Sequence, residues 1–145
     1  MSKLILTVHP LKAWYEWYPD YAYDFSGINI SSGDTIKATV VAYSTTSGVA
    51  TIENLTTGET ATQDLTSSYA LCEADAEWIV EDFEEDSSIV PFADFGTVTF
   101  YDASASGPCG TYTPCDGNII AIEQDGEVLT DVFIGSGCDV TVQYV

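Results

Sequence analysis

Helical periodicity is nearly absent from this chain, and that absence restricts its fold more than any other feature. Short runs that are apolar, or that alternate apolar and polar residues, recur instead, and turn residues separate them. This pattern is typical of β-strands, in which successive side chains point to opposite faces. We therefore predict strands, in chain order, at residues 13–25 (broken at Pro19), 27–30, 35–44, 49–54, 59–65, 77–83, 96–103, 118–123, 128–134 and 140–145.

About ten strands and no helix predict an all-β fold, an antiparallel β-sandwich of two packed sheets. The turn signals agree with that fold. Ser32-Gly33-Asp34 and Thr57-Gly58 separate candidate strands, and Asp125-Gly126 is a typical hairpin turn. No repeat or linker divides the sequence, so we predict a single domain over residues 1–145.

The charge balance limits the partners that the chain can bind. It has 23 Asp and Glu residues against three lysines, with no arginine, and a net charge of −20. Nucleic acid and anionic membranes are excluded as partners, because binding to either needs Lys and Arg. Three interpretations of the excess of acidic residues stay open, namely solubility, calcium binding and adaptation to acid. Near about pH 3 most carboxylates are neutral, and a chain with few basic groups then avoids self-repulsion.

The amino-terminal segment MSKLILTVHPLK does not have the pattern of a signal peptide. Its apolar run, Leu4 to Val8, is too short, and no small-residue cleavage site follows. No stretch of the sequence is long enough to span a membrane. Two N-glycosylation sequons, beginning at Asn29 and Asn54, favour a secreted protein.

Four cysteines allow three disulfide connectivities, and the sequence does not choose among them. Cys109 and Cys115 flank a loop rich in glycine and proline, so a local bridge between them is plausible. No CxxC pair is present and His9 is distant in sequence, so we expect no metal site. The remaining cysteines are Cys72 and Cys138.

Two segments could carry chemistry, and the first runs from Trp14 to Tyr21. In a strand Trp14, Glu16 and Tyr18 share one face, which would present two aromatic rings around a carboxylate. Such a face suits binding of a peptide or a sugar. The alternative is that these aromatic residues only pack a core.

The second segment is EWIVEDF, residues 77–83. Alternation places Glu77, Ile79, Glu81 and Phe83 on one face of the predicted strand. A carboxylate with apolar neighbours pays a desolvation cost, which raises the pKa of such a group and suits it to acid catalysis. The alternative is an edge strand with solvated glutamates.

Several strings along the chain are long and unusual: AWYEWYPDYAYDFSGINISSGDTIKATVVA, LCEADAEWIVEDF, FADFGTVTF, IEQDGEVLT and DVTVQYV. They closely resemble the glutamic peptidases, also called eqolisins, in the same order from about residue 13 to residue 145. Residues 1–12 do not resemble that family. The resemblance implies a concanavalin-like β-sandwich secreted by fungi that cleaves proteins at acid pH. It implies a Glu/Gln dyad and no metal, cofactor or covalent intermediate.

Carried over by motif, the resemblance implies roles for four residues. Glu81 matches the catalytic glutamate, a general base that activates water and returns the proton to the leaving amine. Trp14, Glu16 and Tyr18 match residues that line the substrate cleft. The expected partner is a protein or peptide substrate, and we expect a monomer.

The chain also departs from the family pattern. The catalytic glutamine lies upstream of WYEWYPDY in the family, and no counterpart of that segment is found, so we expect an incomplete sandwich and impaired activity. Lys12 stands where the family has an aspartate, and Cys72 matches a family cysteine. The alternative function is a non-catalytic sandwich, derived from the peptidase, that binds peptide or carbohydrate.

Overall fold

The computed structural model describes residues 3–9, 12–81, 84–85, 88–89 and 92–145, with the backbone alone at 4–9, 84–85 and 88–89. The chain forms two compact units, Met1–Ala74 and Asp75–Val145. Every strand pairing within the described residues is antiparallel. The all-β prediction is therefore confirmed, with a single turn of 3-10 helix at Pro114–Asp116 in the described chain.

The first unit contains two three-stranded sheets, ordered β1-β2-β3 and β4-β5-β6. Their strands are β1 (Lys3–His9), β2 (Lys12–Tyr18), β3 (Ala22–Asp24), β4 (Ile36–Ser44), β5 (Ser47–Asn54) and β6 (Thr60–Thr66). The last three confirm the predicted strands at 35–44, 49–54 and 59–65. β1 was not expected from the sequence, and it pairs with β2 along its whole length.

Alternation along β5 builds the core of the first unit. Every second residue of this strand is buried, and Ile52 has no exposed surface. Ile52 packs with Ala13 of β2, Ala61 of β6 and Ile30 of the connection that follows β3. Because these residues come from both sheets and from the segment that joins them, one apolar cluster fixes how β2 is held within this unit.

The predicted strand at 27–30 is wrong. The backbone of Asn29 is bonded to side chains in place of a neighbouring strand. Its N–H donates to Glu59 Oε2 at 2.9 Å, and its carbonyl accepts from Asn54 Nδ2 at 2.9 Å. A segment whose backbone N–H and C=O groups are hydrogen-bonded to side chains in this way does not need to pair with a neighbouring strand.

The second unit contains a three-stranded sheet, ordered β14-β15-β9, and three small hairpins. Its strands are β7 (Glu84–Glu85), β8 (Ser88–Ile89), β9 (Thr97–Phe100), β10 (Ala105–Gly107), β11 (Gly110–Tyr112), β12 (Glu123–Gln124), β13 (Glu127–Val128), β14 (Thr130–Ile134) and β15 (Val140–Tyr144). The hairpin turn at Asp125-Gly126 is confirmed. Both residues have positive φ, 51° and 84°, as a primed turn requires.

Several predicted strands of the second unit need correction. Residues 77–81 belong to no strand in the described chain, and Asp82 and Phe83 lie outside the described residues. The pattern at 118–123 gives strand only at Glu123, and the strand predicted at 128–134 is divided at Leu129. Alternating side chains do not supply the backbone partner that a strand also needs.

The disulfide joins Cys115 to Cys138 with an S–S distance of 2.04 Å, so the local Cys109–Cys115 bridge, one of the connectivities left open by the sequence, is not formed. Cys109 lies in the turn between β10 and β11 and keeps its thiol. The Cα atoms of Cys115 and Cys138 are 5.2 Å apart, within the roughly 4.4–6.8 Å that a disulfide needs.

Candidate functional site

The first candidate surface is the open face of β2, defined here as Trp14, Glu16 and Tyr18. Ala13 and Trp17, on the other face, are each 3% exposed. Trp14 and Glu16 are half-buried, and Tyr18 is exposed. The predicted sharing of one face by these three side chains is confirmed, because Lys12–Tyr18 forms a strand and alternate residues of a strand share a face.

Neighbouring strands place an ion pair at one end of the open face of β2. Asp24 of β3 lies opposite Trp14, and the small residue Ala22 lies opposite Glu16. Lys12 Nζ contacts Asp24 Oδ2 at 3.0 Å, and both side chains are exposed. The positive charge of Lys12 at this end of the face is thus paired with a carboxylate.

The opposite face of β2 anchors the strand. Trp17 Nε1 donates a hydrogen bond to the carbonyl oxygen of Tyr69 at 2.8 Å. The Tyr15 ring lies against Phe25, with centroids 4.9 Å apart, and against Tyr23, with centroids 6.0 Å apart. These contacts hold β2 by its inner face.

A hydrogen-bond network holds the segment between β3 and β4. Asn54 is fully buried, and its amide donates to Asn29 O and to Asp34 Oδ2 at 2.9 and 2.8 Å. The pKa of Asp34 is lowered from its ordinary value, chiefly by the backbone N–H of Ser31 and then by the Asn54 amide. The pKa of Glu59 is lowered chiefly by a hydrogen bond from the backbone N–H of Asn29 and then by one from the Asn29 side-chain amide.

Glu81 lies in the second unit, at the end of the segment 77–81. Glu77, Ile79 and Glu81 are exposed, whereas Trp78 and Val80 are half-buried. The predicted alternation of this segment is confirmed over these five residues, although they form no strand. The Glu81 carboxylate is therefore on the side that faces solvent.

Trp78 and Val80 line an apolar groove in the second unit with a volume of about 270 Å³. Residues of β14 and β15 form much of the rest of its wall, namely Val132, Ile134, Val140 and Val142. Val140 and Val142 are each 6% exposed. Glu77 and Ile79 also border this groove, although both residues are exposed.

The structure brings Trp14, Glu16 and Tyr18 together on one strand of the first unit, and it places Glu81 in the second unit. The roles of all four residues stay predictions.

The three glutamines lie on strands of both units. Gln63, on β6, donates its amide to the carbonyl of Asp64 at 2.9 Å, Gln143 on β15 is exposed, and Gln124 on β12 is half-buried.

Sequence reasoning missed a small cavity beside the inner face of β2. It has a volume of about 200 Å³ and is lined by Tyr15, Trp17, Asp20, Tyr21, Tyr23, Leu65 and Thr66. Its aromatic residues come from β2, from β3 and from the turn between them. Their clustering in the sequence was the one available signal for it.

In the part of the chain that the structure describes, no three His, Cys, Asp or Glu side chains are grouped so that they could hold a metal ion. The described residues also contain no helix with the length and apolar character needed to cross a membrane.

Comparison with known proteins identifies what the chain is similar to. The model of the peptidase A4 family matches residues 8–144. Aspergillopepsin-2 from Aspergillus niger is 58% identical over 135 residues, which cover 92% of this chain and 48% of that protein. Scytalidopepsin B from Scytalidium lignicola is 44% identical over 142 residues, covering 92% and 54%. The chain thus spans about half the length of the curated relatives that it matches.

Solved structures agree with these matches. The crystal structure of aspergilloglutamic peptidase from Aspergillus niger superimposes with a TM-score of 0.85 at 57% identity, over 92% of this chain and 79% of that one. The crystal structure of scytalido-glutamic peptidase with a transition state analog inhibitor gives a TM-score of 0.84 at 41% identity, over 92% and 69%. This likeness confirms the antiparallel β-sandwich class that was predicted from the sequence.

Proposed function

The chain belongs to the peptidase A4 family, and from this premise we propose that it acts as a glutamic endopeptidase that hydrolyses peptide bonds in acid. The family match over residues 8–144 is the observation that carries the proposal. The substrate is a protein or peptide. The crystal structure of scytalido-glutamic peptidase with a peptide based transition state analog supports a peptide substrate.

Glu81 is the general base of the proposed reaction. Its carboxylate takes a proton from a water molecule as the water oxygen bonds to the scissile carbonyl carbon. As the C–N bond breaks, Glu81 returns that proton to the leaving amine. Glu81 is exposed, so water and substrate can reach its carboxylate, and the desolvation expected from its apolar neighbours is not found at this residue.

The open face of β2 supplies the anchor points for the substrate. Trp14 and Tyr18 offer ring surfaces for a substrate, and the Glu16 carboxylate between them accepts hydrogen bonds from peptide N–H groups. Glu16 is half-buried and Tyr18 is exposed, so both can be reached from one side of the sheet.

The negative charge on the tetrahedral intermediate needs a hydrogen-bond donor, and the family uses a glutamine amide for it. We assign that role to none of Gln63, Gln124 and Gln143, whose sequence contexts differ from that of the family glutamine. Loss of one such donor costs on the order of 10²–10³ in rate, so we propose that hydrolysis by this chain is impaired. We also propose that the protein is secreted and monomeric.

Proteolysis of a denatured protein by the purified chain at about pH 3.5, near the carboxyl reference values, tests the proposal. Glu81→Gln should remove the activity, and Glu77→Gln should keep it, because Glu77 lies on the same exposed side without the proposed role. The loss expected for removing a general base is roughly 10²–10⁴-fold. Equal activity in the two variants would refute the assignment of Glu81.

A second candidate function is non-catalytic binding of peptide or carbohydrate. The open face of β2 favours it, because its aromatic rings and carboxylate are assembled within the first unit without Glu81. Under this alternative the folded chain binds peptides in acid and releases them uncut, and Glu81→Gln leaves the affinity unchanged. Turnover that depends on Glu81 would exclude it.

A further inference from the structure

The two N-glycosylation sequons of the first unit lie in opposite environments. Asn54 has no exposed surface, and its Nδ2 donates to Asn29 O and Asp34 Oδ2. Its Oδ1 accepts the backbone N–H groups of Thr56 and Thr57 at 3.0 and 3.2 Å. A glycan on Nδ2 would break one of these buried bonds, and the fold leaves no room for a sugar there.

Asn29 has the opposite orientation. It lies between Ile28, which is half-buried against the core, and Ile30, which is 8% exposed. Both neighbours point inward, so the Asn29 side chain points outward, and it is exposed. Ser31, the third residue of the sequon, is also exposed.

The hydrogen bonds of Asn29 are compatible with a glycan. Its Nδ2 donates to Glu59 Oε1 at 3.0 Å, which uses one of the two amide hydrogens. Replacing the other hydrogen with a sugar leaves that bond possible. The bond from the backbone N–H of Asn29 to Glu59 Oε2 does not involve the side chain at all. The local structure therefore tolerates the modification at Asn29.

We propose that the folded protein carries an N-linked glycan at Asn29 and none at Asn54. The Asn54 sequon is instead a structural motif, whose amide closes the turn between β5 and β6 and holds the segment that contains Asn29. This inference rests on the proposed secretion, because N-glycosylation occurs on proteins that enter the secretory pathway.

The test uses the full chain secreted from a yeast host behind a cleavable leader, so that entry into the pathway does not depend on the chain itself. Protein from the medium is separated by gel filtration, and the folded monomer is deglycosylated in ¹⁸O water. Mass spectrometry then reports each glycosylated asparagine as labelled aspartate. We expect the label at Asn29 and its absence at Asn54.

Two variants control the assignment. Asn29→Gln and Ser31→Ala should each remove the glycan, and Ser31→Ala does so while it keeps the Asn29 side chain and its bond to Glu59. Label at Asn54 in the folded fraction, or no label at Asn29, would overturn the proposal. Secretion by the native organism is measured separately, and peptidase activity does not enter the readout. Failure of the proposed secretion or of the proposed peptidase activity is therefore distinguishable from failure of the glycan assignment.

Discussion

Replacing Asn54 with alanine removes the side chain on which the turn between β5 and β6 depends. This residue is fully buried at the end of β5. Its amide donates two hydrogen bonds, to Asn29 O and Asp34 Oδ2, and its Oδ1 accepts two from the backbone of Thr56 and Thr57. Alanine keeps the backbone and deletes all four bonds at once.

The cost follows from what each partner can do after the substitution. Four hydrogen bonds at about 0.5–1.5 kcal/mol each give roughly 2–6 kcal/mol. Thr56 and Thr57 are exposed, so water can take over part of the lost bonding there. Asp34 is half-buried and is still bonded by the backbone N–H of Ser31. We therefore expect the lower part of that range, a loss of about 2–4 kcal/mol in the free energy of unfolding.

Urea denaturation of the purified chain at neutral pH, followed by tryptophan fluorescence, measures this loss. The matched control is Gln63→Ala, which removes an exposed amide that makes a single bond to its neighbour's carbonyl, and it should cost less than about 0.5 kcal/mol. If Asn54→Ala cost no more than this control, with unchanged denaturant dependence, the argument that this side chain holds the turn would be refuted.

Three further outcomes are expected. The pKa of Asp34 is lowered in the fold from 3.8, chiefly by the backbone N–H of Ser31, so its contribution to stability is complete above that value and is lost as the pH falls through the folded pKa. Asp34→Asn should flatten the acid side of a plot of stability against pH, and an unchanged slope would contradict this. Cys138→Ser opens a disulfide between residues 23 apart and should cost about 3 kcal/mol, whereas Cys109→Ser should leave the melting temperature nearly unchanged. Trp14→Ala should weaken binding of a tripeptide in acid by roughly ten-fold, measured by calorimetry, and unchanged affinity would remove Trp14 from the proposed cleft.

The part of the candidate site that depends on local alternation was predictable from the sequence. Trp14, Glu16 and Tyr18 share a face because a strand has a period of two. The half-buried residues Trp78 and Val80 also alternate with exposed Glu77 and Glu81, although this segment forms no strand. The chemical role of a side chain does not follow from alternation. Glu81 was assigned by its resemblance to a family motif, and its role stays a prediction.

What the sequence by itself determined was short-range. Turn residues such as Asp125-Gly126 act through their own backbone preferences, and apolar alternation marks the face of a strand such as β5 without reference to its partners. The same patterns, together with the long motifs, were sufficient for the all-β class and for the family.

Tertiary structure alone decided which distant groups meet. Cys115 bonds to Cys138, 23 residues further along the chain, and Asn54 is buried where the segment that follows β3 returns to accept its amide hydrogens. Two sequons that are equivalent as motifs thus become one exposed side chain and one buried one. The physical reason is that hydrogen bonds and disulfides require proximity in space, whereas a sequence pattern records only proximity along the chain.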